Sequence, residues 1–264
     1  MRKIIVLIIA ALITNIFFSS QANAALVGYW DFNEGLGTTA YDSSGFNNNG
    51  SFNANTADWV QGKYGSGLLL NNNDGGGVVI PDSSSLHFTD AFTLMAWVDF
   101  DNEKIYQIAI SKYTPNQQMG FSLHTSYHPD TLKFWEFDST VTNVWSLGPA
   151  EPNVWQHVAV TYDGSETKLY LDGVVNNSTP STGSLFVNNT PLIIGALNTP
   201  TPPTGGYQFN GIIDEVRIYN NALTQNEILR DMNSDSKSPV VPEPATMFLF
   251  GSGLLGAFIR RKFA

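Results

Sequence analysis

From Val154 to Tyr162 the chain reads VWQHVAVTY, a β-branched and aromatic run that the turn residues Asp163-Gly164-Ser165-Glu166 close. Lys168-Leu169-Tyr170-Leu171 then alternates polar with apolar before Asp172-Gly173. This pattern predicts a hairpin with Leu169 and Leu171 facing a core. The same signature returns at Ala91–Phe100, at Gly120–Leu123 with Leu132–Trp135, at Pro191–Gly195 and at Ile212–Tyr219. Many short strands parted by Gly, Asn, Asp and Pro predict an all-β sandwich or jelly roll of two antiparallel sheets. One helix interrupts the strands. Thr224 and Glu227 form a capping box flanked by Leu223 and Ile228 as a staple, which predicts a short helix from Gln225 to Met232.

The two ends follow a different pattern. Arg2 and Lys3 precede an apolar stretch, Ile4 to Phe18, and Ala22-Asn23-Ala24 follows. A charged start, an apolar middle and an A-x-A site predict a secretory leader cut after Ala24. At the other end Ala245 to Ile259 is apolar and Arg260-Arg261-Lys262 is basic. As a helix those 15 residues rise about 22 Å, short of the roughly 30 Å hydrocarbon core. The chain thus divides into a leader (1–24), a globular domain (25–233), a polar linker (234–240) and a C-terminal tail (241–264) with a short transmembrane segment.

Charge narrows the partners. Residues 25–241 carry 8 Lys and Arg against 22 Asp and Glu, a balance of −14. Such a surface repels nucleic acid and anionic membranes. With no cysteine, disulfides and thiolate zinc sites are excluded, and a structural metal has to be bound through oxygen.

Motifs in order along the chain carry a family resemblance. Gly28-Tyr29-Trp30-Asp31-Phe32-Asn33-Glu34-Gly35, Asp42-Ser43-Ser44-Gly45, IPDSSSLHFTDAFTLMAWV, WQHVAVTYDG with LYLDG, and FNGIIDEVRIYNNAL together resemble a laminin-G-like, concanavalin A-like jelly-roll domain, from about Leu26 to Met232. Asp31, Asn33, Glu34, Asp42 and Asp214 offer the oxygens that calcium takes. The resemblance implies that the first and last strands lie together and bring Glu34, Asp42 and Asp214 close, as a structural calcium site. The same residues also read as turn formers and an exposed Asp on an edge strand. The tail, with Pro242-Glu243-Pro244, its apolar segment and its basic end, resembles the PEP-CTERM sorting signal of Gram-negative bacteria. That resemblance implies recognition by the membrane enzyme exosortase, a transient inner-membrane tether, and delivery to the cell surface or extracellular matrix.

Other motifs carry less. Gly251-Ser252-Gly253-Leu254-Leu255-Gly256 spells a dinucleotide fingerprint with no βαβ unit around it, so helix packing through small residues is the better reading. His124 and His128 lack the Glu of a zinc protease motif and read as a surface pair, and His157 reads as a packed, hydrogen-bonded histidine. Alternation places Glu136 and Asp138 on one strand face as a glycosidase pair would be, yet the glucanase pattern needs a further acid where Val141 stands. No enzymatic activity is expected. Sugar binding uses aromatic faces beside amide and acid groups. Trp59, Tyr64, Tyr113, Tyr127, Trp145 and Tyr207 lie in or near loops, whereas Trp30, Trp97 and Trp155 read as fillers of the seam between sheets. Tyr207, Trp145 and Tyr127 are the candidate ligand contacts. The expectation is an exported jelly-roll domain that binds an extracellular polysaccharide or matrix component; the alternatives are a structural matrix protein and a glycan hydrolase.

Overall fold

The computed structural model describes residues 24–53, 55–70, 76–101, 107–114, 119–125, 132–137, 144–147, 151–182, 187–197 and 208–234. The leader up to residue 23, the linker from 235 and the whole sorting tail therefore lie outside the described residues. So do Tyr127, His128, Asp138, Val141 and Tyr207.

Two antiparallel sheets of eight strands each stack face to face. Sheet A runs β14 (Val174–Pro180), β13 (Glu166–Leu171), β12 (Gln156–Tyr162), β7 (Phe92–Phe100), β16 (Gly211–Tyr219), β5 (Ser66–Leu70), β4 (Ala57–Gln61), with β1 (Leu26–Trp30) also paired to β16. Sheet B runs β11 (Val144–Trp145), β10 (Leu132–Phe137), β9 (Met119–Thr125), β8 (Ile108–Thr114), β15 (Leu192–Ile194), β6 (Val78–Ile80), β3 (Gly50–Ser51), β2 (Thr39–Ala40). This is the jelly-roll sandwich expected from the strand pattern, and the expected strands appear within a few residues of their predicted bounds.

Alternation decides which side chains meet between the sheets. Phe92, Leu94, Ala96 and Val98 of β7 point inward with Val158 and Val160 of β12, and from sheet B Ile110, Phe121, Leu123 and Phe134 join them in one buried core. Phe92 stacks on Phe121, with ring centroids 6.0 Å apart. Leu169 enters this core and Leu171 packs against it, as their spacing predicts.

Sheet A is buried on its outer face too, because helix α1 (Gln225–Met232) lies across it. Met95, Ala159, Tyr170 and Tyr219 form a second apolar cluster with Leu223 and Ile228. Hence β7 and β12 are buried along nearly their whole length rather than on alternate residues. The helix begins at the predicted capping box: the Thr224 hydroxyl accepts from Glu227 N, and the Glu227 carboxylate accepts from Thr224 N at 2.7 Å. Its underside sits so close to the β13–β14 turn that a Cβ on Gly173 would lie 2.5 Å from Leu229, and Gly173 also has φ +76°. Asp172-Gly173, both left-handed, match the tight hairpin turn read from sequence.

Strand β16 is the axis of sheet A. On one side it pairs with β7; on the other, its first half pairs with β5 and its second half with β1. Between Asp214 and Arg217 the register slips, with Glu215 at φ +53°, and this bulge lets Ile213 and Val216, three residues apart, both face the core.

Candidate functional site

Four of the nine exposed large apolar side chains among the described residues, Trp145, Leu147, Val174 and Val175, lie on or just after β11 and on β14. Strand β11 is two residues long. Val144 faces inward and is fully buried, while Trp145 faces out and is 40% exposed. Opposite Trp145 in register stands Lys133, whose ammonium lies 3.9 Å from the indole centroid. That contact covers part of the ring with a cation and fixes its orientation. Burial lowers the Lys133 pKa.

No backbone ladder joins β11 to β14 across the seam. Two asparagines of β14 span it instead: Leu147 N donates to Asn176 Oδ1, and Asn177 Nδ2 donates to the Trp145 carbonyl, each at 2.7 Å. Around them Leu147, Val174 and Val175 are exposed. Trp145 and Leu147 thus present apolar surface beside the Asn176 and Asn177 amides and the Lys133 ammonium. Such a surface can stack on the CH face of a pyranose and hydrogen-bond its hydroxyls.

Of the three aromatic residues singled out from sequence, Trp145 is thus described and exposed, and Tyr127 and Tyr207 lie outside the described residues. The remaining loop aromatics are committed elsewhere. Trp59 packs on Phe32 and Phe52 and donates to Gly37 O, Tyr64 donates to Met232 O, and Tyr113 is buried. Trp97 is a correction: it fills not the seam but the outer face of sheet A, where Nε1 donates to Met232 O at 3.1 Å and the Lys63 ammonium caps the ring. Trp155 is half-buried just ahead of β12. Sequence reasoning missed Asn176, Asn177 and Lys133. The available signal was Val174-Val175, two apolar neighbours that strand alternation cannot both bury.

A cavity of about 10 Å³ lined by Val98, Phe100, Leu123, His124 and Phe209 is too small for a sugar.

The expected metal residues do not converge. Among the described residues no three His, Asp or Glu side chains group closely enough to hold an ion. Asp42 spends its oxygens on backbone N–H groups, Oδ1 accepting from Tyr29 and Ser44 and Oδ2 from Asn48. Asp214 accepts from Tyr64 N through Oδ2 and from Glu215 N through Oδ1. It is fully buried, not on an exposed edge, and burial pushes its carboxyl up to about 7 against those amide donors. Glu34 alone retains an oxygen: Oε1 accepts from Tyr41 N at 2.6 Å, and Oε2 is buried without a partner among the described residues. Burial first, and the Asp31 charge to a lesser degree, raise its pKa. A calcium site drawn on all three carboxylates therefore does not fit.

The titratable groups of sheet A form a closed structural network. Arg217 donates to Glu215 Oε2 at 2.5 Å, to Tyr29 Oη at 3.1 Å and to the Asp231 carbonyl at 2.6 Å, while Tyr219 Oη donates to Asp231 Oδ2. It holds the helix end to the strand. His157 sits beside it, edge-on to Trp97 and fully buried, with burial depressing its pKa to about 3. Its backbone N donates to Asp172 Oδ1, yet neither ring nitrogen has a partner among the described residues. The expected hydrogen-bonded ring is therefore a packed one. His124 is not a surface residue either: it is buried, paired with Ser122 Oγ at 3.0 Å, and held neutral with a pKa near about 3 by burial and by Lys133. Glu136 lies opposite Phe121 in the β9–β10 register.

Residues 71–229 match the family model of the Concanavalin A-like lectin/glucanases superfamily. The chain belongs to that superfamily. Its described fold starts earlier than the match, since β1 closes sheet A from Leu26. Residues 240–262 match the PEP-CTERM protein-sorting motif, which marks an exported, membrane-processed surface protein of bacteria. Among the described residues no helix is long and apolar enough to cross a membrane. Within the superfamily fold, the chain is similar to domain 4 of AbnA, an extracellular arabinanase from Geobacillus stearothermophilus solved with arabinotriose. The TM-score is 0.63 at 22% identity, covering 79% of this chain and 98% of that one. It is also similar to the binding domain of Paraclostridial Mosquitocidal Protein 1, with TM-score 0.61 and 16% identity, covering 80% of this chain and 52% of the other. Mouse pappalysin-1 (Mus musculus) is 33% identical over 177 residues, 58% of this chain but only 10% of the mouse protein.

Proposed function

We propose that this concanavalin A-like domain binds neutral glycan chains of the extracellular matrix, with Trp145 as the stacking platform and Asn176, Asn177 and Leu147 around it. The observation that carries this reading is the exposed indole held in place by Lys133 and by the asparagine bridges, an apolar surface the fold itself does not use. The −14 balance favours uncharged sugars over acidic ones. The arabinotriose complex of the AbnA domain supports a sugar ligand for this fold. Export and sorting would proceed through exosortase acting at Pro242-Glu243-Pro244 in a Gram-negative envelope, leaving the domain at the surface or in the matrix.

A glycan array with the exported protein, followed by titration calorimetry on its best neutral ligand, tests this. Trp145→Ala is expected to lower affinity at least about tenfold, roughly 1.4 kcal/mol, with an unchanged unfolding midpoint. Equal binding by Trp145→Ala would move the site elsewhere, and no selective binding at all would favour a structural matrix role. Sugar release by the protein that is lost in Glu136→Gln would favour the hydrolase reading instead.

A further inference from the structure

Asn176 and Asn177 are neighbours in sequence, yet both side chains reach across to β11 and the residues after it, which strict strand alternation forbids. The β13–β14 register supplies the reason. Leu169 pairs with Asn177 and Tyr170 with Val175, so Asn176 is an extra residue with none opposite it. Such a bulge re-aims a side chain, and this one brings the Asn176 amide to Leu147 N while Asn177 reaches the Trp145 carbonyl.

The bridges use the two amides unevenly. Both amide oxygens accept backbone N–H groups, Asn176 Oδ1 from Leu147 at 2.7 Å and Asn177 Oδ1 from Ser178 at 2.8 Å. Asn177 Nδ2 donates to the Trp145 carbonyl. Asn176 Nδ2 and Trp145 Nε1 have no partner among the described residues. Lys133 is 8% exposed, and its ammonium is engaged with the indole. The bridging side chains therefore leave a ligand N–H donors, their acceptors being already spent. Beside those donors Leu147 is 76% exposed, and because Val144 and Ser146 are both buried it shares the side of Trp145.

We propose that the Trp145 site selects acetylated sugars, taking the acetyl carbonyl with Asn176 Nδ2 and Trp145 Nε1 and covering the acetyl methyl with Leu147. The inference rests on the glycan-binding reading and narrows it. A plain hydroxyl both gives and takes a hydrogen bond, and here its own hydrogen finds no acceptor on the two bridging amides. An acetyl carbonyl only accepts, carries no charge, and brings a methyl group that gains by covering apolar surface. A carboxylate also only accepts, yet the −14 balance of residues 25–241 opposes it. The acetyl group can be an ester on oxygen or an acetamide on nitrogen, since both present the same carbonyl and methyl.

Titration calorimetry of the exported protein with two matched pairs of neutral probes tests this. The first pair is an N-acetylglucosamine oligomer against the glucose oligomer of the same linkage and length. The second is an O-acetylated xylan fragment against the same fragment after mild alkali, which removes the ester. The acetylated member is expected to bind about tenfold tighter in at least one pair, and the pair that shows it names the linkage. Trp145→Phe keeps a stacking ring and loses the N–H, and Asn176→Asp keeps an acceptor for Leu147 N and loses the donor. Each should pull that ratio toward one without moving the unfolding midpoint; a ratio unchanged in both overturns the assignment to these donors. Equal affinity within both pairs, failure to bind either acetylated probe, or tighter binding of a glucuronate oligomer overturns the acetyl inference. Whether glycan binding itself stands is read separately, from Trp145→Ala against the best neutral ligand of the array.

Discussion

Arg217 is 4% exposed and Glu215 1%, and each is the other's buried counter-charge. Burial works against the Arg217 charge, yet Tyr29 and Glu215 keep its pKa above the ordinary value. Removing one partner of such a pair strands the other, at a cost of about 3–5 kcal/mol. Arg217→Met is expected to lose that much in urea unfolding, and Arg217→Met with Glu215→Gln to recover part of it; an additive loss would deny the coupling. The carboxylates are tested at this scale too. With Asp42 and Asp214 committed to amide donors and Glu34 standing alone among the described residues, calcium against chelator is expected to leave the unfolding midpoint unchanged. A rise of several degrees that is lost in Glu34→Gln would restore a metal site, because an ion held only by the folded state stabilises by mass action.

At the scale of elements, the capping box makes the clearest prediction. Thr224→Ala removes the acceptor for Glu227 N and should cost about 1 kcal/mol, read as a lower urea midpoint with unchanged slope. Helix α1 was legible because its cap, staple and length are local features of sequence. The strands were legible for the same reason, alternation being a property of neighbours. What escaped depended on pairing between distant residues. Asp214 escaped because β16 is flanked by β7 on one side and by β5 and β1 on the other, pairings that no local pattern shows, so it is not on an exposed edge. Trp97 was misplaced because nothing local tells a strand which of its faces a helix will cover. The Trp145 platform was half legible: an aromatic near a loop can be picked from sequence, whereas its bridges come from Asn176 and Asn177, some 30 residues on in a different sheet.

For the whole molecule, stability against pH is set by buried groups pulling in opposite directions. His124 and His157 have folded pKa values near about 3 against 6.5 when unfolded, so the unfolded chain takes up more protons and stability falls as pH drops from 6.5 toward 3. Asp214, raised from 3.8 to about 7, does the reverse: its contribution is fully present below 3.8 and is lost as pH rises through 7. His157→Phe is therefore expected to flatten the acid side of a stability–pH curve, and Asp214→Asn to flatten the rise in stability between pH 7 and 5; unchanged curves would refute the assignments. Residues 24–26 and helix α1 lie on sheet A, while the candidate platform hangs from the edge of sheet B. Because that platform is stitched to its neighbour by side-chain amides rather than by a backbone ladder, it is a detachable fitting on a fixed frame. Under the proposed function, substitutions at 145, 147, 176 or 177 are expected to change which ligand is preferred while leaving the unfolding midpoint in place, since none of these side chains belongs to the buried core.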